Sequence, residues 1–434
     1  MYLAKRGGLT EEEVRAIVRD FTTSVRPKLQ KRYDYYRGKQ PILSKEATDA
    51  GKPCNKIVCN FVESIVNTYE GYALGNPVAY TSDVNIEPLM ECLNYNDVAD
   101  EDSEFFRTAL IYGIAPEICY LDEEARVRFK TLDPREVIPV YENTLNGDLL
   151  YAIRIWEEAL ADGTTPDYFC QVYDNEVVRT YKTNNMYTSF TLMEEKKHFF
   201  NQVPVTFFSL NTEERGIADS IFSLQDAYNS LVSDSIDDWD SFCDAYLVLK
   251  GMTADAEDLE DMKHKRALIM DSDASAEYLI KNTQTTEIEH LLSTVEEKVR
   301  ELASCPNFNN ETFGTSSGIA IRYRMMAMEN KTAAILNNFR KALQRRIELL
   351  ADVEALISGE QAWRDIQIEF TRNLPTDLSD TVTAVNQLRG LVSEETLLAQ
   401  LPFIDNVEEE LERISKERAL NIQLYTFDSG VDDE

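Results

Sequence analysis

The chain has 434 residues, and 77 Asp plus Glu against 44 Lys plus Arg give it a formal net charge of −33 at pH 7. Apolar residues make up 43% of it, enough for sizeable cores, and the length predicts about two to four folding units. A general binder of nucleic acid or of anionic membranes needs a basic surface, so the acidic charge argues against both classes for the chain as a whole.

The N-terminal part is predicted to be mostly helical. Thr10, followed by three glutamates, is typical of a helix N-cap, and this helix should continue to Tyr36 with a kink at Pro27. Further helices are predicted over Asn60–Tyr72, Ile86–Leu93 and Asp97–Tyr112.

Between Pro116 and Leu210 the pattern changes to that of strands. Short runs rich in β-branched and aromatic residues alternate with turn signals such as Asn146-Gly147-Asp148. Strands are predicted over Ile118–Tyr120, Arg126–Lys130, Leu150–Trp156, Tyr168–Tyr173, Val177–Tyr181 and Val203–Phe208. The pattern indicates an antiparallel, β-rich insert between helices, and hence an α+β fold.

From Gly216 the chain is again mostly helical, with one small mixed segment. Apolar stripes predict helices over Gly216–Cys243, Glu287–Leu302 and, longest of all, Ser317 to about Ile357. Strands are predicted at Leu247–Leu249, Glu277–Ile280 and Asp365–Thr371, and three short helices begin near Thr376, Ser393 and Asp405. The chain ends in an acidic tail.

The most informative local feature is an acidic stretch. Between Arg215 and Lys250 there are seven Asp and no basic residue. One interpretation is a solvated helix face, and another is a magnesium site, because Asp234, Asp237 and Asp238 have one-turn spacing. No second acidic pair supports the metal, so neither metal nor cofactor is predicted. The third interpretation is a surface whose role is to be negative, such as the wall of a passage for a polyanion, with Asp226, Asp234, Asp237 and Asp238 as its residues.

Two further segments are candidates for contact with a partner. The loop Asn307–Ser316 carries uncharged polar and aromatic residues that are costly to expose without a partner, namely Asn307, Phe308, Asn309, Asn310 and Phe313. A plain helix connection is the alternative. Lys263, Lys265 and Arg266 form a short basic cluster, which is more often a helix C-terminal feature than a ligand site.

Enzyme motifs are missing from the chain. The sequence has no GxxxxGK[ST], GxSxG, HExxH or GxGxxG pattern, and its seven Cys are dispersed without a CxxC pair. We therefore predict no enzyme activity.

Eight stretches, taken in their order and spacing, resemble the portal proteins of tailed bacteriophages, of the siphophage type found with Gram-positive hosts. They are Tyr33–Lys39, Asn55–Val58, Gly71–Val78, Asp133–Tyr141, Asn201–Val205, Asp226–Asn229, Phe313–Ala320 and Glu369–Pro375. The resemblance covers the chain from about Tyr33 to Arg418.

The resemblance implies a multi-region portal fold with a β-rich wing, a helical stem and a long helix that supports a crown. Carried onto this chain, the regions are a wing (1–215), a stem helix (216–243), a clip (244–284), a second stem helix (285–304), a tunnel loop (305–316), the long helix with a wing return strand (317–374), and a crown with the acidic tail (375–434). The basic cluster then falls in the clip, which faces partners.

The resemblance also implies a function. Portal proteins form a ring, dodecameric in the capsid, at one vertex of the head, and double-stranded DNA is packaged and ejected through it. The implied partners are further copies of the chain, the major capsid protein, the terminase large subunit and a head-tail adaptor, with the virion as location and the host cytoplasm during assembly. Two alternatives stay open: an acidic virion or assembly protein without DNA passage, and a magnesium-dependent enzyme using the Asp-rich helix.

Overall fold

The computed structural model describes residues 2–47, 52–159, 166–242, 246–250, 275–279, 285–307, 318–354 and 362–373, and then residues 383, 385–398, 401, 407, 410–411 and 413–416. The chain divides into two compact units, one formed by Met1–Thr315 with Arg322–Arg372, the other by Ser316–Ile321 with Asn373–Glu434. Helices and several sheets occur together, which confirms the α+β class.

The N-terminal helix is interrupted. Helix α1 (Glu11–Asp20) begins with a capping box in which Thr10 and Glu13 bind each other's backbone N–H groups. A π-helical turn at Phe21–Val25 follows, and then α2 (Arg26–Tyr36). The predicted helix is confirmed, but its irregularity lies ahead of Pro27, since Pro near the start of α2 needs no backbone N–H there.

The three helices that follow are confirmed. They are α3 (Phe61–Leu74), capped by the Asn60 side chain, α4 (Glu87–Tyr95) and α5 (Val98–Tyr112). Helix α5 ends at Gly113, whose φ of +85° and close approach to Glu214 leave no room for a Cβ. This tight contact packs the end of α5 against Glu214 and Arg215, just ahead of the next helical segment.

The part of the chain predicted to be the wing (residues 1–215, called the wing below) contains two sheets. The strands are β1 (Tyr2–Ala4), β3 (Ile114–Leu121), β4 (Val127–Thr131), β5 (Val137–Glu142), β6 (Leu149–Glu158), β7 (Asp167–Tyr173), β8 (Val177–Thr183), β9 (Phe190–Lys197) and β10 (Val205–Ser209), while β2 (Ala79–Thr81) belongs to a separate pair. The larger sheet has the order β1-β5-β6-β7-β8-β9 and the smaller one β10-β3-β4. All these pairs are antiparallel except β1 with β5, which is parallel. The six predicted strands are confirmed, whereas β1, β5 and β9 were missed.

The remaining elements follow the predicted order. They are α6 (Phe222–Phe242), β11 (Tyr246–Lys250), β12 (Ser275–Leu279), α7 (Thr285–Ala303), α8 (Gly318–Glu354), β13 (Gln367–Glu369) and α9 (Glu394–Leu398). Strand β11 pairs antiparallel with β12, and β13 pairs antiparallel with β2. The strand predicted over Asp365–Thr371 is shorter than expected. The predicted helix starts near Thr376 and Asp405 lie outside the described residues, but residues 385–388 and 413–416, which follow them, are helical.

A buried charged cluster joins the long helix α8 to the wing. Arg346 donates hydrogen bonds of 2.6 and 2.8 Å to Glu117 on β3 and one of 2.5 Å to Asp102 on α5. Tyr80 on β2 donates to Asp102, and the Phe129 ring lies 4.3 Å from the guanidinium carbon. Burial raises the pKa of both carboxyls, and the Arg346 charge opposes that shift. Arg346 thus links α8 directly to α5, β3 and β4, and β2 joins the cluster through Tyr80 and Asp102.

Candidate functional site: the acidic helix and its partner segment

Helix α6, which carries most of the acidic stretch, binds an extended segment of the wing through its side chains. Its four binding residues, spaced four apart, each accept a hydrogen bond from a backbone N–H of residues 55–61, here called the strap. Asn55 N–H donates to Asp237 (2.6 Å), Ile57 N–H to Ser233 (3.0 Å), Cys59 N–H to Asn229 (2.9 Å) and Phe61 N–H to Gln225 (2.9 Å). We call this set the polar ladder.

The spacing of the polar ladder follows from backbone geometry. Four residues of an α-helix rise about 6 Å, and two residues of an extended chain span about 6.6 Å. Every second strap N–H therefore meets every fourth helix side chain, with the two segments running in opposite directions. Gln225, Asn229 and Ser233 are completely buried, so their polar groups need these partners.

Additional contacts close both ends of the polar ladder. At one end, Gln40 accepts a hydrogen bond from Asn229 and donates to the Tyr35 carbonyl and to Asn60. At the other end, the Lys45 ammonium binds Asp237 (2.5 Å) and Asp234 (2.8 Å). The strap is therefore fixed to α6 over its whole length.

The predicted acidic residues have different environments. Asp226 accepts a hydrogen bond from the Tyr35 hydroxyl, and burial together with this carboxylate raises the pKa of Tyr35. Asp237 is largely enclosed by Lys45 and Asn55. The Asp234 side chain keeps 66% of its surface exposed despite its ion pair, and Asp238 is half-buried. Among the four, Asp234 is the most accessible, and a DNA-facing role for the set stays a prediction.

At the aspartates of the alternative magnesium site, the structure has the ammonium group of Lys45. Lys45 Nζ lies between Asp234 and Asp237, where a metal bound by these carboxylates would need to be. Among the residues that the structure describes, no three His, Cys, Asp or Glu side chains gather as a metal site would require.

Helix α7, the predicted second stem helix, ends at the start of the predicted tunnel loop. Ser304 takes a left-handed conformation (φ +57°) after the helix, and Cys305 N–H donates back to the Arg300 carbonyl, as in a Schellman motif. Two side chains from other helices bind the Ala303 carbonyl: the Tyr69 hydroxyl at 2.8 Å and the Lys331 ammonium at 3.3 Å. The base of the loop is therefore firmly held.

Several predicted site residues cannot be placed. Asn307 is described, whereas Phe308, Asn309, Asn310 and Phe313 of the loop lie outside the described residues. The same holds for the clip residues Lys263, Lys265 and Arg266.

Comparison with known proteins identifies the family. The profile described as "Phage portal protein, SPP1 Gp6-like" matches residues 18–424. The chain belongs to this portal family. A portal protein of Clostridium phage phiCD119 is 22% identical over 92% of this chain and 94% of its own length. A portal protein of Bacillus phage SPP1 is 22% identical over 89% of this chain and 80% of its own length.

Family membership settles the broad class of the molecule. Phage portal proteins are structural components of the virion, which assemble as oligomers, and the family is structural rather than enzymatic. None of the described helices is both long and apolar enough to cross a membrane. The family resemblance found in the sequence is therefore confirmed.

Proposed function

We propose that this portal protein forms a ring, dodecameric in the capsid, whose central channel carries double-stranded DNA into the head and later out of it. In this proposal the ring sits at one capsid vertex, assembles in the host cytoplasm and contacts the major capsid protein. The terminase large subunit docks during packaging and the head-tail adaptor afterwards. The observation that carries the proposal is the family match across nearly the whole chain.

The electrostatics of α6 support a passage for DNA. The stem helix has no basic residue, and its accessible acid Asp234 would be repeated in every subunit around the ring. A negative wall repels phosphates, so DNA would pass without binding to it. The Asn-rich loop would then contact the DNA backbone without reading its sequence.

The first test is electron microscopy of the purified protein. Rings with a central hole are expected, and their symmetry measures the subunit number. Particles without a channel would contradict the proposal and favour an assembly protein through which no DNA passes.

The second test reverses charge on the stem. The variant Asp234→Lys/Asp238→Lys should assemble but translocate DNA more slowly, most of all at low salt, where added attraction is least screened. The control, Glu123→Lys/Glu124→Lys, makes the same charge change on an exposed wing turn. Equal translocation by both variants would argue against the negative wall.

A further inference from the structure

The polar ladder restricts how α6 can move against the wing. Each hydrogen bond joins a helix side chain to one particular strap N–H, and sliding or turning the helix breaks all four together. We propose that Gln225, Asn229 and Ser233 are positioning residues that set the height and rotation of the stem helix, and thereby direct Asp234 toward the channel. This rests on the proposed function, in which α6 forms the channel wall.

The height of α6 is set because only one kind of displacement restores the hydrogen bonds. A shift by a single residue rotates a helix by about 100° and moves every ladder side chain away from its N–H. The smallest shift that recreates the spacing is one whole step, about 6 Å. Beyond Gln225 the next position is Ile221, which is apolar and buried, so the step toward that end has no acceptor. A step in that direction would therefore leave the Phe61 N–H without its acceptor.

The rotation of α6 is set by the same residues. Asp234 follows Gln225 by nine positions, which places it about 180° round the helix. The structure agrees with this geometry, because Gln225 is fully buried while Asp234 is mostly exposed. Holding Gln225 against the strap thus turns Asp234 outward.

The middle of the strap contributes only its backbone N–H groups to these ladder bonds. Cys59 and Ile57 present N–H groups to α6 regardless of which side chains they carry, whereas Asn55 also donates to Asp237 from its side chain (2.9 Å). At Ile57 and Cys59, positioning therefore does not depend on the chemistry of the strap side chains, and each bond can be removed by deleting an N–H alone.

Hydrogen exchange measured residue by residue on the purified full chain tests the contact. The amides of Ile57 and Cys59 should exchange at least about tenfold more slowly than those of Lys56 and Val58, since one buried hydrogen bond is worth about that factor. Ser233→Ala should speed exchange at Ile57, whereas Ser230→Ala, at an exposed position of α6, should not. Uniform exchange along the strap would overturn the proposal.

A double-mutant cycle guards against a variant that merely unfolds. Ile57→Pro removes the N–H that binds Ser233, and Lys56→Pro makes the same change at an exposed neighbour. The unfolding free energies of Ile57→Pro and Ser233→Ala should be non-additive, while those of Lys56→Pro and Ser233→Ala should add. Additivity in both cycles would overturn the assigned contact.

Assembled rings separate positioning from stability. Asn229→Ala/Ser233→Ala rings should translocate DNA more slowly than wild type, with a steeper dependence on salt, while Ser230→Ala rings should behave as wild type. A lower melting temperature with unchanged translocation would overturn the positioning role. If wild-type protein forms no rings, the proposed function fails, whereas alternating exchange in the strap would still support the ladder as the element that positions α6.

Discussion

The polar ladder and the Arg346 cluster solve the same physical problem in opposite ways. Both bury polar groups between segments that are far apart in the chain. The ladder divides the task among hydrogen bonds in which most partners are neutral, whereas the cluster concentrates one cation between Asp102 and Glu117. Distributed contacts should weaken step by step when single residues are changed. Changing Arg346 alone should remove most of the stabilising effect of the cluster, because it leaves two buried carboxylates without their cation.

The largest effect is expected from Arg346→Met. Removing the guanidinium should lower the free energy of unfolding by about 3–5 kcal/mol, because two buried carboxylates lose their partner. Urea denaturation measures this, and Lys341→Met, at an exposed position of the same helix, should stay within about 0.5 kcal/mol of wild type. A loss below about 1 kcal/mol would show that the stability of the cluster does not depend on Arg346 alone.

A smaller loss is expected from Asn229→Ala. The change leaves the Cys59 N–H and the Gln40 side-chain oxygen unpaired in a buried place, which should cost about 1–3 kcal/mol. The same denaturation experiment applies, with Ser230→Ala as its control. If Asn229→Ala lowers the free energy of unfolding as much as Arg346→Met does, the stabilisation by the ladder is not divided among its hydrogen bonds.

The contribution of Asp237 to stability should depend on pH. Partial burial opposes ionisation of Asp237, but Lys45 and Asn55 outweigh it and lower the pKa of this carboxyl. Its stabilising contribution is therefore present above the ordinary Asp pKa and is lost as pH falls through about 4 and below. Wild type should lose stability relative to Asp237→Asn over that range. Parallel pH profiles of unfolding for the two proteins would contradict this expectation.

The smallest effect is expected for Asp234→Ala. Because this carboxylate is mostly exposed, its pair with Lys45 should contribute less than about 1 kcal/mol. The difference from wild type should vanish near 1 M salt, where the screening length is about 3 Å. A salt-independent loss would mean that Asp234 takes part in the buried ladder and not only in an exposed ion pair.

Periodic segments were predictable from the sequence, and pairings across the chain were not. The apolar stripe of α7 and the apolar run of β6, rich in Ile and aromatic residues, each lie within one sequence window, so their type followed directly. Strand β1 is three residues long and is stabilised by β5, about 135 residues later in the chain, while the exposed edge strand β9 has little apolar alternation. Strand β1 therefore depends on a partner that no local window contains, whereas β9 pairs with its neighbour β8 and was missed for its weak pattern.

The same limit explains what was missed at the candidate site. The acids of α6 stood out by charge, but the ladder residues Gln225, Asn229 and Ser233 are ordinary polar residues on a helix. Their four-residue spacing up to Asp237 was a usable signal for a polar contact along one face. The partner was beyond prediction, because a strap recognised mainly through its backbone N–H groups leaves little side-chain pattern.

The strap also has a consequence for the order of events during synthesis. Cys59 leaves the ribosome about 170 residues before Asn229, to which its N–H will bind. At about 5–20 residues per second this interval lasts roughly 10 to 30 seconds. During it the strap N–H groups lack their acceptors on α6, so the ladder cannot help the first helices of the wing to fold. Seating of the strap must wait for α6, which makes it a late step in the biogenesis of each subunit.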